Sequence, residues 1–340
     1  MRVLTLRELN RTLLLRQRLL RRERIGPARA VERLAALQAQ WVPSPYVALW
    51  SRLEGFRREQ LTRALRREQV VKAALMRGTL HLVSARDYPL YVTALRKEVA
   101  PWSNGRARPT RELVAEVRAH VRREPRTARE LVAFLEERRG QAGEVENLRD
   151  LAWLRHLIPL QPLPDTAEWG FTRGVRFRAA AVGRPPLADA LAHLVKRYLA
   201  AFGPATRADV ASWSGQLLRT LDPAFRSLQL RRFVDEDGRE LVDVPRAPLA
   251  EGDEPAPVRF LSRWDELLIA HADRRRVLPE EHAVRKLVLG GAPTMLVDGF
   301  VAGTWKVDGG RVVVEPFAPL PRGIRGDVAE EAERLEAFLS

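Results

Sequence analysis

The stretch LQAQWVPSPY, residues 37–46, carries two carboxamides, Gln38 and Gln40, on either side of one small apolar residue. Upstream, Val31, Leu34 and Ala35 lie on the face of a 3.6-residue period that Gln38 continues, so an amide stands where a buried apolar side chain is expected. Such an amide must hydrogen-bond inside the protein or face a cleft. Pro43 disfavours helical geometry at Val42, so the segment from Gln38 to Trp41 is expected to leave the helix. On a helix the two amides point about 200° apart; extended, they share a face. Two amides on one face beside Trp41 can hold a water or a sugar, although glutamines at a helix end also commonly just meet solvent or loop backbone. A second chemistry-bearing group is His271, Asp273 and Arg274 in HADR, with Asp265 ahead of it. These either line a cleft or form a satisfied loop histidine among salt-bridged neighbours. His271, Asp273 and His282 match no standard metal spacing. The absence of cysteine excludes thiolate zinc sites, iron–sulfur clusters and disulfides.

The elements that must position these residues follow from periodicity and punctuation. Leu6, Leu9, Leu13 and Leu20 form the apolar stripe of a first amphipathic helix, and Gly26-Pro27 opens a second that runs through Ala39. Ser44-Pro45 starts a third, with serine able to cap and proline suited to the first turn. A fourth spans about residues 57–68 with Leu61 and Leu65 inward, and VKAALMRGTLHLV reads as β-structure turning at Gly78. The pattern recurs at 109–123, at a helix opened by the capping pair Thr127 and Glu130, at a helix over 147–157, and in the strand candidates LIPLQPL and WGFTRGVRF. A third round comprises 186–202, a helix capped at Thr206, a short helix, and two strands around Asp237-Gly238. Three rounds of helix–helix–helix–hairpin predict three tandem winged-helix modules, an α+β, mainly α, architecture. The linker RAPLAEGDEPAP marks a boundary near 255. Beyond it, turns at Asp298-Gly299 and Asp308-Gly309-Gly310 predict a small antiparallel sheet or barrel, then a closing acidic helix. The expected domains are 1–103, 104–183, 184–255 and 256–340.

Composition narrows the function class. The 340 residues include 58 lysines and arginines against 43 acids, for a net charge of +15, and only five of the bases are lysines. Arginine presents a planar fork suited to phosphate oxygens, so the excess favours a polyanion partner, with solvated helix faces as the plain alternative. Arg77 and His81 in the first hairpin, and Arg231 and Arg232 in the last, are candidate backbone contacts. No stretch approaches a membrane span, and the opening residues lack the run and cleavage site of a signal peptide. The expectation is a cytoplasmic, nucleoid-associated protein.

The stretches ALQAQWVPSPYVALWSRL, VVKAALMRGTLHLV, YLAAFGPATRADVASWSG, LSRWDELLIAHADRRRV and LVDGFVAGTWK resemble the AlkZ-like family, bacterial winged-helix DNA glycosylases that unhook interstrand crosslinks and excise bulky N7-alkylguanines. The resemblance runs from about Thr5 to Pro319. It includes the family's glutamine–apolar–glutamine motif, here on Gln38 and Gln40; a sister branch has aspartate at the second position. It implies three winged helices around a basic channel with a C-terminal β-barrel, and double-stranded DNA carrying alkylated or crosslinked guanine as partner. It also implies catalysis by Gln38 and Gln40 without metal or cofactor. Trp41, Ser44, Tyr46, Arg77, Thr79, His81, Arg231, Arg232, Asp265, His271, Asp273 and Arg274 are then the expected DNA-binding or cleft-lining residues. A lyase step would need an amine such as Lys72 and is not expected. The chain is expected to act as a monomer without an obligate protein partner. The competing reading is a non-catalytic winged-helix DNA-binding, lesion-binding or drug-sequestering protein.

Overall fold

The computed structural model describes residues 1–95, 111–142, 158–278 apart from 166, 168, 172 and 173, and 285–340. The chain opens with β1 (Arg2–Leu4) and α1 (Leu6–Arg16), the latter held by a Thr5–Glu8 capping box. Capping of this kind contributes about 1 kcal/mol. The helix is shorter than the leucine stripe suggests. Arg18 takes a left-handed φ of 60°, so Leu20 is buried from a turn instead of from the helix.

Next come α2 (Pro27–Arg33), β2 (Leu37–Gln38), α3 (Ser44–Arg52), α4 (Arg58–Arg66), β3 (Val70–Ala74), β4 (Leu80–Ser84) and α5 (Tyr88–Leu95). The second helix therefore stops six residues before Ala39. Ala35 adopts φ 67°, the buried Tyr91 hydroxyl holds its carbonyl at 3.2 Å, and Leu37–Gln38 is drawn into an antiparallel ladder with β4. Sheet pairing here overrides the helical preference of an alanine- and leucine-rich run.

Then α6 (Arg111–Arg123), β5 (Arg126–Thr127), α7 (Ala128–Ala142), β6 (Leu160–Pro162) and β7 (Arg176–Ala179) repeat the layout, with the Thr127–Glu130 box in place. The helix expected over 147–157 lies outside the described residues. A third round follows: α8 (Leu187–Phe202), α9 (Arg207–Ser214) capped by Thr206, α10 (Leu218–Ser227), β8 (Arg231–Asp235) and β9 (Glu240–Asp243). In the first two rounds the short early strand pairs with the last strand, giving the orders β2-β4-β3 and β5-β7-β6. In the third, Ala205 bridges Val242 in the same position. β1 adds to β8 in parallel, a long-range pairing that local patterning does not announce.

The C-terminal part contains β10 (Arg259–Leu261), α11 (Glu266–Ile269), β11 (Thr294–Val297), β12 (Phe300–Asp308), β13 (Arg311–Pro316) and α12 (Arg322–Leu339). Its strands form a four-stranded antiparallel sheet in the order β10-β11-β12-β13, open at β10 and β13. The expected barrel is therefore not closed. Four strands are too few to wrap around a filled interior, and the apolar face is covered instead by α12 and α3, with Phe260, Trp305, Val328 and Leu335 packed between them.

Two large cores result. One joins α1, α8 to α10 and one face of the β2-β4-β3 sheet; the other joins α2 to α4, the opposite face and the C-terminal sheet. The first-module sheet thus stands between them, and side-chain parity decides which core each of its residues meets. A smaller core serves α6, α7, β6 and β7.

Candidate active site

The two glutamines leave α2 on extended backbone. Gln38 pairs with His81 across the β2–β4 ladder, Ala39 N–H donates to Leu80 O at 2.7 Å, and Leu80 N–H donates to Gln40 Oε1 at 2.9 Å. Gln40 therefore continues with its side chain the ladder that its backbone abandons. Gln38 is 7% exposed and its Oε1 accepts from Thr79 Oγ1 at 3.3 Å, whereas Gln40 is exposed. Residues two apart on a strand, and residues directly opposite across a ladder, share a face. By that parity Gln38, Thr79 and His81 lie on one side of the sheet, the side turned toward α9 and α11.

His81 is fully buried, with Nδ1 2.9 Å from Thr79 O and Nε2 3.1 Å from Glu266 Oε1. Glu266, also buried, accepts from Trp213 Nε1 at 2.9 Å and has Arg77 Nη2 at 3.6 Å. Burial pushes the Glu266 carboxyl up, but Arg77, His81 and Trp213 more than reverse this and hold it below the usual carboxylate range. Arg77 occupies a left-handed position (φ 52°), donates to Trp213 O at 2.5 Å and packs its backbone against Gly215. The hairpin tip at residues 76–79 is thereby fixed to the third round of helices.

The SRWDE loop closes the other side. Ser44 Oγ donates to Arg263 O at 2.9 Å and the Arg263 guanidinium lies 5.2 Å from the centre of the Trp41 ring. Asp265 forms a two-pronged pair with Arg52 at 2.7 and 2.9 Å, both side chains 1% exposed, and caps α11 through Leu267 N. Arg274 is half-buried against Leu268 O and Ala272 O; burial and then the nearby Arg77 lower its affinity for a proton. Two like charges thus stand near one another at this edge.

Other expected residues lie apart. Tyr46 is buried, bonds Thr62 at 2.9 Å and meets Trp169 edge-on; burial pushes its hydroxyl up to about 12. His271 is buried against Phe202 O at 3.1 Å, with burial and Arg276 lowering it to about 4. Asp273 is occupied by Arg239 and Arg275. Arg231 is committed to buried Asp243 at 2.7 Å, and Arg232 to Glu240 across the last hairpin. His282 lies outside the described residues. Clefts of about 700 Å³, beside His193, Lys196 and Gln229, and about 500 Å³, beside Tyr88, Arg118 and Arg184, are lined by residues other than the two glutamines.

Sequence reasoning passed over Glu266. An acid just inside a helix start is ordinary dipole chemistry, and Asp265 before it drew the attention; the available signal was a charge at the head of the apolar run ELLI. The arrangement offers two anchored carboxamides, Gln38 buried and Gln40 exposed, backed by a buried ionic cluster and edged by arginines and an indole.

The sequence profile of the family described as DNA glycosylase AlkZ-like matches residues 31–338. An interstrand DNA cross-link repair glycosylase of Streptomyces sahachiroi is 29% identical, with 86% of this chain and 85% of that protein covered. The solved structure of the Streptomyces sahachiroi DNA glycosylase AlkZ has the same fold, with a TM-score of 0.82 at 24% identity, over 99% of this chain and 97% of that one.

Proposed function

The chain belongs to the AlkZ-like family of DNA glycosylases, and on that premise we propose that it hydrolyses the N-glycosidic bond of cationic N7-alkylpurines in double-stranded DNA, bulky adducts and interstrand crosslinks included. The observation that carries this reading is the pair Gln38 and Gln40, held by consecutive residues of one hairpin, Thr79 and Leu80, at the family's glutamine–apolar–glutamine motif.

The chemistry suits carboxamides. An N7-alkylated guanine already bears positive charge, so the C1′–N9 bond breaks with its electron pair neutralising the base, and no general acid is required. Water supplies the oxygen that replaces N9 on C1′, and its surplus proton passes to solvent. The remaining tasks are to place that water and to stabilise an oxocarbenium-like centre, both of which an amide carbonyl performs as an oriented dipole. The exposed position of Gln40 supports an open site, which a base tethered to the opposite strand requires in place of a closed flipping pocket.

The wider reading comprises three winged-helix modules, at 1–103, 104–183 and 184–255, and a sheet-and-helix unit at 256–340. It is supported by the strand order that recurs in the first two rounds, β2-β4-β3 and β5-β7-β6, and by the Ala205–Val242 bridge in the third. Arg274, and Arg263 with Trp41, form the basic edge that meets the backbone, while Arg77 is turned inward to Trp213 O and Glu266. Hydrolysis without a lyase step is supported by Lys72, which pairs with Leu82 on the opposite face of the sheet from Gln38 and lies 4.3 Å from the centre of the Phe171 ring.

Single-turnover release of N7-methylguanine, and of an N7-linked nitrogen-mustard crosslink, tests the proposal with wild type beside Gln38→Ala and Gln40→Ala. Release by wild type that is lost in both variants while DNA binding persists is expected. Tight binding without release of either substrate would instead favour a binding or sequestering protein.

A further inference from the structure

We propose that Glu266 is a positioning residue for Gln38, acting through His81 and Thr79. The inference rests on Gln38 being catalytic, and it assigns the buried ionic cluster behind the motif to the same reaction.

The connection is continuous in space. Glu266 Oε1 lies 3.1 Å from His81 Nε2, His81 Nδ1 lies 2.9 Å from Thr79 O, and the Thr79 hydroxyl shares its proton between Met76 O at 3.2 Å and Gln38 Oε1 at 3.3 Å. His81 is also the ladder partner of Gln38, so the carboxamide and the imidazole stand side by side on one face. The ring of His81 is oriented with Nδ1 on Thr79 O and Nε2 beside a Glu266 oxygen with which it closes no aligned hydrogen bond.

The hold is Coulombic. Glu266 Oε1 has His81 Nε2 at 3.1 Å and Arg77 Nη2 at 3.6 Å; all three atoms are buried and close no aligned hydrogen bond among themselves. The other carboxylate oxygen is satisfied conventionally by Trp213. A neutral isostere at 266 therefore keeps the shape and the Trp213 acceptor but loses the attraction that draws the imidazole and the hairpin tip inward. Buried ion pairs add little to stability compared with apolar packing. A charge placed here at full desolvation, one residue beyond the Arg52–Asp265 clamp that already secures the loop, is better accounted for by orientation of the motif.

Glu266→Gln is compared with wild type, Gln38→Ala and the double variant on an N7-methylguanine duplex. Melting temperature, duplex affinity and single-turnover rate are measured for each. The expected result is a lowered melting temperature, because Arg77 loses its buried counter-charge, with unchanged affinity and, at a temperature where every variant is folded, a rate lowered by about ten- to a hundredfold, the loss that a small misplacement of a catalytic group brings. In the Gln38→Ala background Glu266→Gln should cost nothing further, because its effect passes through the missing amide. A wild-type rate for Glu266→Gln, or losses that multiply in the double variant, overturns the inference. Wild-type release by Gln38→Ala overturns the motif assignment beneath it, which separates the two failures. Should Glu266→Gln fail to fold, the pair Glu266→Gln with His81→Gln replaces both buried side chains by amides that can bond one another. A slowed rate in that pair supports the assignment, and a wild-type rate defeats it.

Discussion

Gln38 and His81 oppose one another across the β2–β4 ladder, and this one pairing carries the motif from the end of a helix to the face of a sheet. Shifting β2 by one residue would turn Gln38 into the core that Leu37 and Leu82 now fill, and would face Leu37 toward Glu266. The register is held because the alternation of polar and apolar residues on β2 matches two different surroundings. Leu37 belongs to the core beneath the C-terminal sheet, and Gln38 meets the polar cluster beside α9.

The loop that brings Glu266 to His81 depends on the buried Arg52–Asp265 pair. Arg52→Met leaves Asp265 as an uncompensated buried charge and should cost about 3–5 kcal/mol. Adding Asp265→Asn should restore part of that loss. Urea denaturation of Arg52→Met, Asp265→Asn and the double variant measures both effects, and an additive double variant would show that the two side chains do not act as a pair.

The Asp298-Gly299 turn joins β11 to β12 with both residues at positive φ, 47° and 82°. It sits against α1: a Cβ on Gly299 would lie 2.5 Å from Asn10 Oδ1 and 2.7 Å from Leu14 Cδ1. Gly299→Ala should therefore cost about 3 kcal/mol or more, combining backbone strain with overpacking. Gly309→Ala, with φ 55° and open space around it, should cost about 1 kcal/mol. Equal losses in the two variants would remove the steric argument.

His271 gives the fold a pH dependence of definite sign. Burial and Arg276 lower it from 6.5 to about 4 in the folded chain. Between those values the unfolded chain binds a proton that the folded one refuses, so this contribution is complete above pH 6.5 and is lost progressively toward pH 4, by about 3 kcal/mol in all. Denaturation midpoints from pH 7 to 4.5 should fall more steeply for wild type than for His271→Gln. Parallel profiles would mean that the imidazole does not resist protonation.

Much of this architecture was readable from local signals. Thr127 with Glu130, Thr206, and Asp237-Gly238 act over three or four residues, and each caps or turns where its chemistry requires. The departure of Gln38–Trp41 from helical geometry followed from Pro43, but the point of departure did not. Ala35 turns because Tyr91 and β4, far along the chain, hold its carbonyl and the next two residues but one, Leu37 and Gln38. The β1–β8 pairing and the open C-terminal sheet are likewise long-range outcomes. Glu266 is the plainest case, since its burial is produced by Trp213, His81 and Arg77 from other segments of the chain.

Arg274 stands near Arg77, whose like charge, after burial, lowers its hold on its proton. If this edge meets phosphate, Arg274→Ala should weaken binding to any duplex and reduce the slope of log affinity against log salt by about 0.9, one released counterion. Titrations with damaged and undamaged duplexes at several salt concentrations measure this. Arg232, paired with Glu240 on the last hairpin, provides the comparison. An unchanged slope for Arg274→Ala would move the phosphate contact elsewhere.

The strictest consequence of an amide-based site concerns the leaving group. Neither Gln38 nor Gln40 can protonate a neutral base at pH 7, so only a base that is already cationic before the bond breaks should be released. N7-methylguanine should therefore be excised while uracil and hypoxanthine remain in the same duplex, even over long incubation. The buried carboxyl of Glu266 does not change this expectation, because Arg77 and His81 hold it ionised and it has no proton to give. Borohydride should trap no covalent adduct, since Lys72 lies on the far face of the sheet. Efficient uracil release would require a proton donor at the site and would exclude the carboxamides as the whole of the catalytic apparatus; a trapped adduct would instead place an amine within reach of C1′.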